Sequence, residues 1–200
     1  MFGSDDLIAR IEAHILDIEP AVSRTLELPF SLTLAQLHAV LQAAFGWTDN
    51  HLHRFEIGGL DYGPIDPEED DSSRRTFDSS GVRLHDFALR YGRPVEFLYE
   101  YDFGDSWVHV LKLKTGQRDA AARYPRCTGG SRGGPPEDSG GAPGYAEFLE
   151  TWRDPAHPGH KEMRRWAGRR FDPEHFDLET VNKAIRAAVR RGNGTAPAQP

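Results

Sequence analysis

Cysteine is nearly absent from these 200 residues, with Cys127 standing alone. A lone thiol excludes an internal disulfide framework and any cysteine-built zinc finger. Long apolar runs are missing too, since no stretch approaches the ~18–20 apolar residues that cross a bilayer. The opening Met1-Phe2-Gly3-Ser4-Asp5-Asp6 has neither the basic start nor the apolar core of a secretory leader. These absences predict a cytoplasmic protein with no membrane partner. Motifs are lacking as well. There is no Gly-x-Ser-x-Gly elbow for a hydrolase serine and no Gly-Lys-Ser/Thr for a phosphate loop. Phe103 sits in a kinase-like Asp-Phe-Gly string, but no catalytic His-Arg-Asp accompanies it.

Positive charge is in short supply. The net charge is −7, and residues 1–150 hold 14 Lys and Arg against 25 Asp and Glu. Nucleic-acid affinity comes largely from clustered cations, so the acidic body disfavours a nucleic-acid partner. Residues 151–200 reverse the balance, with 10 cations against 6 carboxylates.

What is present is a chain of single-domain length with enough aromatic surface for a core. The 20 glycines and 14 prolines predict long loops. Ile8–Leu16 and Ser23–Leu28 read as an antiparallel strand pair closed by Glu19-Pro20. Thr33 caps a helix with Leu34, Leu37, His38, Leu41 and Phe45 on one face, and Gly46 ends it. His51–Ile57 reads as a third strand. The stretch from Gly58 to Pro64 reads as turns, residues 65–80 as an acidic, serine-rich mobile loop, and Leu84–Leu89 as a helical turn. Val95–Asp102 and Ser106–Lys114 form the clearest β signal, with Gly104-Asp105 as a two-residue type II′ turn. Residues 125–144 are too rich in glycine and proline for regular structure. Helices follow over Tyr145–Arg153, about His160–Gly168 and Leu178–Arg191, the last capped by Asp177. Together these elements predict a single α+β domain over residues 1–191, a mostly antiparallel sheet packed with helices, and a disordered tail at 192–200.

In that order, the chain resembles the plasmid pRiA4b ORF-3-like proteins, also known as passenger proteins of bacterial insertion elements. The resemblance rests on Leu34-Ala35-Gln36-Leu37-His38 running to Phe45-Gly46-Trp47, and on His51-Leu52-His53 with Phe55 and Tyr62-Gly63. It continues in Tyr101-Asp102-Phe103-Gly104-Asp105-Ser106-Trp107 and in Pro135-Pro136-Glu137-Asp138 with Gly140-Gly141 and Tyr145. It spans roughly residues 8–190. It implies a compact α+β domain and a link to mobile genetic elements, but no activity. The resemblance implies a second cysteine after the Pro-Pro-Glu-Asp run in many relatives, where this chain has Ser139, so any role for such a pair is lost here.

Candidate chemistry gathers in three places. His51 and His53, two apart on a strand, would share a face and could hold a divalent metal with Asp102 and Asp105; plain hydrogen-bonded histidines fit the same pattern. The proposed turn would set Asp102 against Trp107 and Glu100 against His109, pairing a carboxylate with an imidazole. A one-residue change of register would oppose Tyr101 to Trp107 and Tyr99 to His109 instead. Glu137 and Asp138 lie in a rigid turn that is either a binding loop or a packing plug, near the cations Arg123, Arg126 and Arg132. Finally, Lys161, Arg164, Arg165, Arg169 and Arg170 surround Trp166, a candidate nucleic-acid stripe that is more simply a solvated helix face. Cys127 reads as structural. The leading functional expectation is a non-enzymatic interaction module with a protein partner, its surface at the hairpin tip, His51, His53 and the Pro-Pro-Glu-Asp loop. A metal-dependent hydrolase and a nucleic-acid-binding accessory protein are the alternatives.

Overall fold

A computed structural model describes residues 6–65, 75–88, 93–169 and 171–192. Its strands are β1 (Leu7–Ile15), β2 (Ser23–Leu28), β3 (His53–Ile57), β4 (Leu60–Gly63), β5 (Thr76–Asp78), β6 (Val95–Tyr101), β7 (Trp107–Gln117) and β8 (Arg126–Ser131). The helices are α1 (Leu34–Phe45), α2 (His85–Ala88), α3 (Gly141–Arg153), α4 (His160–Ala167) and α5 (Leu178–Gly192). The strands form one sheet in the order β5-β4-β3-β6-β7-β1-β2-β8, antiparallel except where β5 joins β4. The predicted α+β architecture is the observed one.

Strand periodicity decides which face is covered. Ala9, Ile11, Ala13 and Ile15 of β1, Leu26 and Leu28 of β2, Phe55 and Ile57 of β3, and Phe97, Tyr99 and Tyr101 of β6 are buried on one side. Leu34, Leu37, Val40, Leu41 and Phe45 of α1 pack into the same core, and α5 packs on α1 and β8. The opposite sheet face carries cross-strand ion pairs, Arg54–Glu100 at 2.7 Å and Lys114–Glu12 at 2.6 Å. Among the described residues no helix is long and apolar enough to cross a membrane.

Thr33 makes a complete capping box: its side chain accepts from the Gln36 amide while Gln36 Oε1 accepts from the Thr33 amide. Asp177 caps α5 by accepting the amides of Glu179 and Thr180.

Five expectations need correction. The segment read as turns contains β4, and β5 lies inside the stretch read as a mobile loop, whose residues 66–74 are outside those described. The glycine- and proline-rich stretch contains β8 and the start of α3. It pairs through its backbone, and a side chain on Gly130 would meet the Ser23 carbonyl oxygen at 2.5 Å and the Phe176 ring at 2.9 Å. The third strand begins at His53, so His51 lies before it and the two histidines do not share a strand face. The β6–β7 connection spans Asp102 to Ser106 rather than two residues, with Asp102 at φ 59° and Ser106 at φ 53°. Asp102 Oδ1 accepts the Gly104 amide at 3.0 Å, and the Asp102 carbonyl accepts the Ser106 amide at 2.6 Å. This loop sets Tyr101 against Trp107 and Tyr99 against His109, so the Asp102–Trp107 and Glu100–His109 pairs do not form. Of the tail expected at 192–200, Gly192 closes α5 and residues 193–200 lie outside those described.

Candidate functional site

The residues expected to form one metal set divide between two clusters. In the first, His38 and Gln42 stand one turn apart on α1, Asp49 follows in the α1–β3 loop, His53 opens β3 and Tyr99 lies in β6. The Asp49 amide donates to Gln42 Oε1 at 2.9 Å, which turns Gln42 Nε2 toward Tyr99 Oη, 3.0 Å away. Tyr99 is fully buried, and its oxygen lies 2.8 Å from His38 Nδ1. With Gln42 already donating, the Tyr99 hydroxyl proton goes to Nδ1. That places the His38 proton on Nε2, facing Asp49 Oδ1 at 2.7 Å. The contact holds the Asp49 carboxyl below its usual range, although its side chain is 59% exposed. Burial also pushes the Tyr99 hydroxyl upward, so it stays protonated.

His53 lies flat against His38, with ring centroids 3.4 Å apart and planes 7° from parallel. Burial, then the neighbouring His38, lowers its pKa to about 3, so the ring is neutral. Its Nε2 is buried with no hydrogen-bond partner. One ligand atom from each of His38, Asp49 and His53 lies within 4.8 Å of the other two.

The second cluster joins His51, Asp102 and Asp138 within the same limit. Its geometry is that of a bridge: His51 Nδ1 is 3.6 Å from Asp102 Oδ2 while Nε2 is 3.1 Å from Asp138 Oδ1. The two ring nitrogens thus face different carboxylates. The Tyr101 ring stands near both clusters, 5.7 Å from His51 and 6.4 Å from His38.

Asp105 belongs to neither, because its Oδ2 accepts the Gly140 amide at 2.9 Å and pins the hairpin tip to the start of α3. Glu137 is used up structurally. It accepts from the Thr48 amide at 3.1 Å and from Tyr101 Oη at 2.6 Å, while Trp47 Nε1 donates to the Pro135 carbonyl at 2.9 Å. The Pro-Pro-Glu-Asp loop is therefore a plug that leaves Asp138 facing His51. Trp107 and His109 are core residues. His109 is wholly enclosed, with its Nδ1 on the Trp107 carbonyl at 3.0 Å, and burial lowers its pKa to about 3. Two of the loop cations are also engaged, Arg126 with Glu27 at 2.7 Å and Arg132 with Glu174 at 2.9 Å.

Asp138 and Ser139 also line a cavity of about 490 Å³ between α3 and α4. Glu147 and Phe148 of α3 face Glu162, Met163 and Trp166 of α4 across it. Trp166 remains 49% exposed and meets Phe148 edge-on. Lys161, Arg164 and Arg165 share α4 but do not line the cavity, and Arg164 stacks over Trp152 at 4.0 Å. Arg169 follows α4, and Arg170 is outside the described residues.

His38, Gln42, Asp49 and Tyr99 were not singled out by sequence as a site. The available signal was His38 itself, an imidazole in the apolar stripe of α1 that needs a polar partner when buried.

The family model described as plasmid pRiA4b ORF-3-like protein matches residues 8–180. The chain is 35% identical over 179 residues to an uncharacterised protein, y4hQ, of Sinorhizobium fredii, covering 89% of this chain and 90% of that one. The crystal structure of a protein of unknown function, MM3350 from Methanosarcina mazei Go1, superposes with a TM-score of 0.76 at 34% identity. That match covers 86% of this chain and 96% of the other.

Proposed function

The chain belongs to the plasmid pRiA4b ORF-3-like family, and from that premise we propose that it is an interaction module receiving a basic, partly apolar segment of a protein partner between α3 and α4. The observation that carries this reading is the way α4 divides its side chains. Glu162, Met163 and Trp166 line the cavity, whereas Lys161, Arg164 and Arg165 do not. Across from them, Glu147 and Asp138 add carboxylates and Phe148 adds an aromatic wall. An arginine or lysine suits such a lining, because its aliphatic stem covers Trp and Met while its charge meets the carboxylates. A phosphate backbone is repelled by the same carboxylates, which sets nucleic acid behind a polypeptide as partner. The partner would be met in the cytoplasm, in keeping with the family's link to mobile elements.

The test is a fluorescence titration on the full chain with two ten-residue peptides, one alternating arginine and leucine, the other glutamate and leucine, and with a single-stranded oligonucleotide. Saturable binding of the basic peptide alone is expected. Replacing Glu147 and Glu162 together with glutamine should weaken it about 5- to 30-fold, at roughly 0.5–1 kcal/mol per exposed charge pair. Equal binding of the acidic peptide, preference for the oligonucleotide, or an unchanged affinity in the double variant would each refute the proposal.

A further inference from the structure

The groove leaves the His38–Asp49–His53 cluster without a role, and its geometry points elsewhere than to a peptide. We propose that His38, Asp49 and His53 bind one divalent transition-metal ion through two imidazoles and a carboxylate, with coordination positions left open toward solvent.

Three observations support this. First, bonds of about 2.0–2.2 Å place neighbouring ligand atoms about 3–3.5 Å apart, and here one atom from each residue already lies within 4.8 Å of the others. Second, His53 Nε2 is a buried nitrogen with no hydrogen-bond partner, which is uncommon enough in folded proteins to need an explanation. A metal ion supplies one, since it takes the lone pair that no donor in the fold approaches. Third, Tyr99 and Gln42 hold the far side of His38, as hydrogen-bonding partners behind metal-bound histidines do. Two imidazoles and one carboxylate suit zinc, cobalt, nickel or ferrous iron rather than calcium or magnesium.

Loading requires two local adjustments. The two rings lie parallel and in contact, so the stack must open for both to meet one ion. His38 must also exchange tautomers. The ion takes Nε2, and the proton now shared with Asp49 is replaced by one on Nδ1, where Tyr99 Oη accepts it. Solvent reaches the cluster at Asp49, whose side chain is 59% exposed and lines a cleft of about 480 Å³ with Gln42, Thr48, Ala188 and Arg191.

The His51–Asp102–Asp138 cluster serves as the internal control. Its two ring nitrogens face separate carboxylates, so it should not compete. The experiment is titration of the EDTA-stripped full chain with Co²⁺ and Zn²⁺ alone, read by cobalt absorption and calorimetry. One equivalent is expected, with no response to Ca²⁺ or Mg²⁺. His53→Ala should abolish uptake and His51→Ala should leave it intact. Asp49→Asn, at an exposed side chain that tolerates change, should weaken binding without unfolding the protein. Tyr99→Phe should weaken it about 10-fold or more through His38 orientation. Absence of a one-equivalent response in wild type would overturn the assignment, as would uptake retained by both His53→Ala and Asp49→Asn. Greater loss in His51→Ala than in His53→Ala would also overturn it.

Discussion

Replacing His109 with asparagine should reduce the pH dependence of this protein's stability, leaving the share that His53, lowered to the same range, contributes. The imidazole is completely buried, and burial lowers its pKa to about 3 in the fold, whereas an unfolded histidine titrates near ~6.5. Below ~6.5 the unfolded chain binds a proton that the folded chain refuses. The cost of protonating the site is therefore absent above ~6.5 and grows as pH falls toward the folded value. Between pH 7 and pH 5 this one group should remove about 2 kcal/mol. Five carboxyls with lowered pKa values, Glu12, Asp49, Asp78, Glu174 and Asp177, act in the same direction. Their unfolded forms titrate near ~4–4.5, so they contribute little above pH 5. Asparagine keeps an N–H for the Trp107 carbonyl and carries no proton in this range. The assay is urea unfolding of wild type and His109→Asn, each at pH 7 and pH 5 in EDTA, so that every other titrating group cancels in the difference. Wild type should lose about 2 kcal/mol more than the variant, roughly 0.7–1 M in midpoint at slopes of about 2–3 kcal/mol/M. Equal losses would show that His109 takes up its proton inside the fold, and the reasoning from burial would fail.

Gly134→Ala should destabilise by about 3 kcal/mol or more, because a methyl there would stand 1.9 Å from the Phe45 carbonyl oxygen and force two backbone segments apart. An unchanged thermal midpoint would mean that the Pro-Pro-Glu-Asp plug docks less tightly than described. Cys127 is 2% exposed, donates to the Gly129 carbonyl and has its thiol pKa raised by burial. Ellman's reagent at pH 8 should therefore leave the native protein unmodified and titrate one thiol after guanidinium unfolding; prompt native reaction would contradict the burial.

The elements with strong local signals were legible. α1 carried its N-cap, its apolar stripe and its terminal glycine in sequence, and the β2 bounds were those that alternation predicts. β8 was hidden because its pairing with β2 uses backbone groups and requires the absence of side chains, which in sequence looks like a loop. The hairpin register was misread from Gly104-Asp105. The residues that take the left-handed conformation are Asp102 and Ser106, and the better cue was the alternation of Tyr99, Tyr101, Trp107 and His109, whose apolar bulk decides which face turns inward. The candidate site was half legible. His51, His53, Asp102 and Asp138 were identified, but their division into two clusters depends on His38 and Asp49. Those two arrive from a helix and a loop whose spacing to β3 no local pattern encodes. Glu137 and Asp138 are neighbours in sequence with opposite fates, one pinned by Thr48 and Tyr101, the other open beside His51.

The position of β1 has a consequence for how the chain is made. Ile11 is flanked by Leu26 on one side and by Leu113 on the other, so β1 is central in the sheet although it comes first in the chain. During synthesis β2 follows at once, but β7 arrives only after more than half the chain has been translated, roughly 5–20 seconds later at about 5–20 residues per second. Until then one side of an apolar strand has its hydrogen-bonding groups open to any neighbouring strand, including that of a sister chain on the same messenger. Crowding on the polysome is therefore a stress to which this strand order exposes the nascent chain.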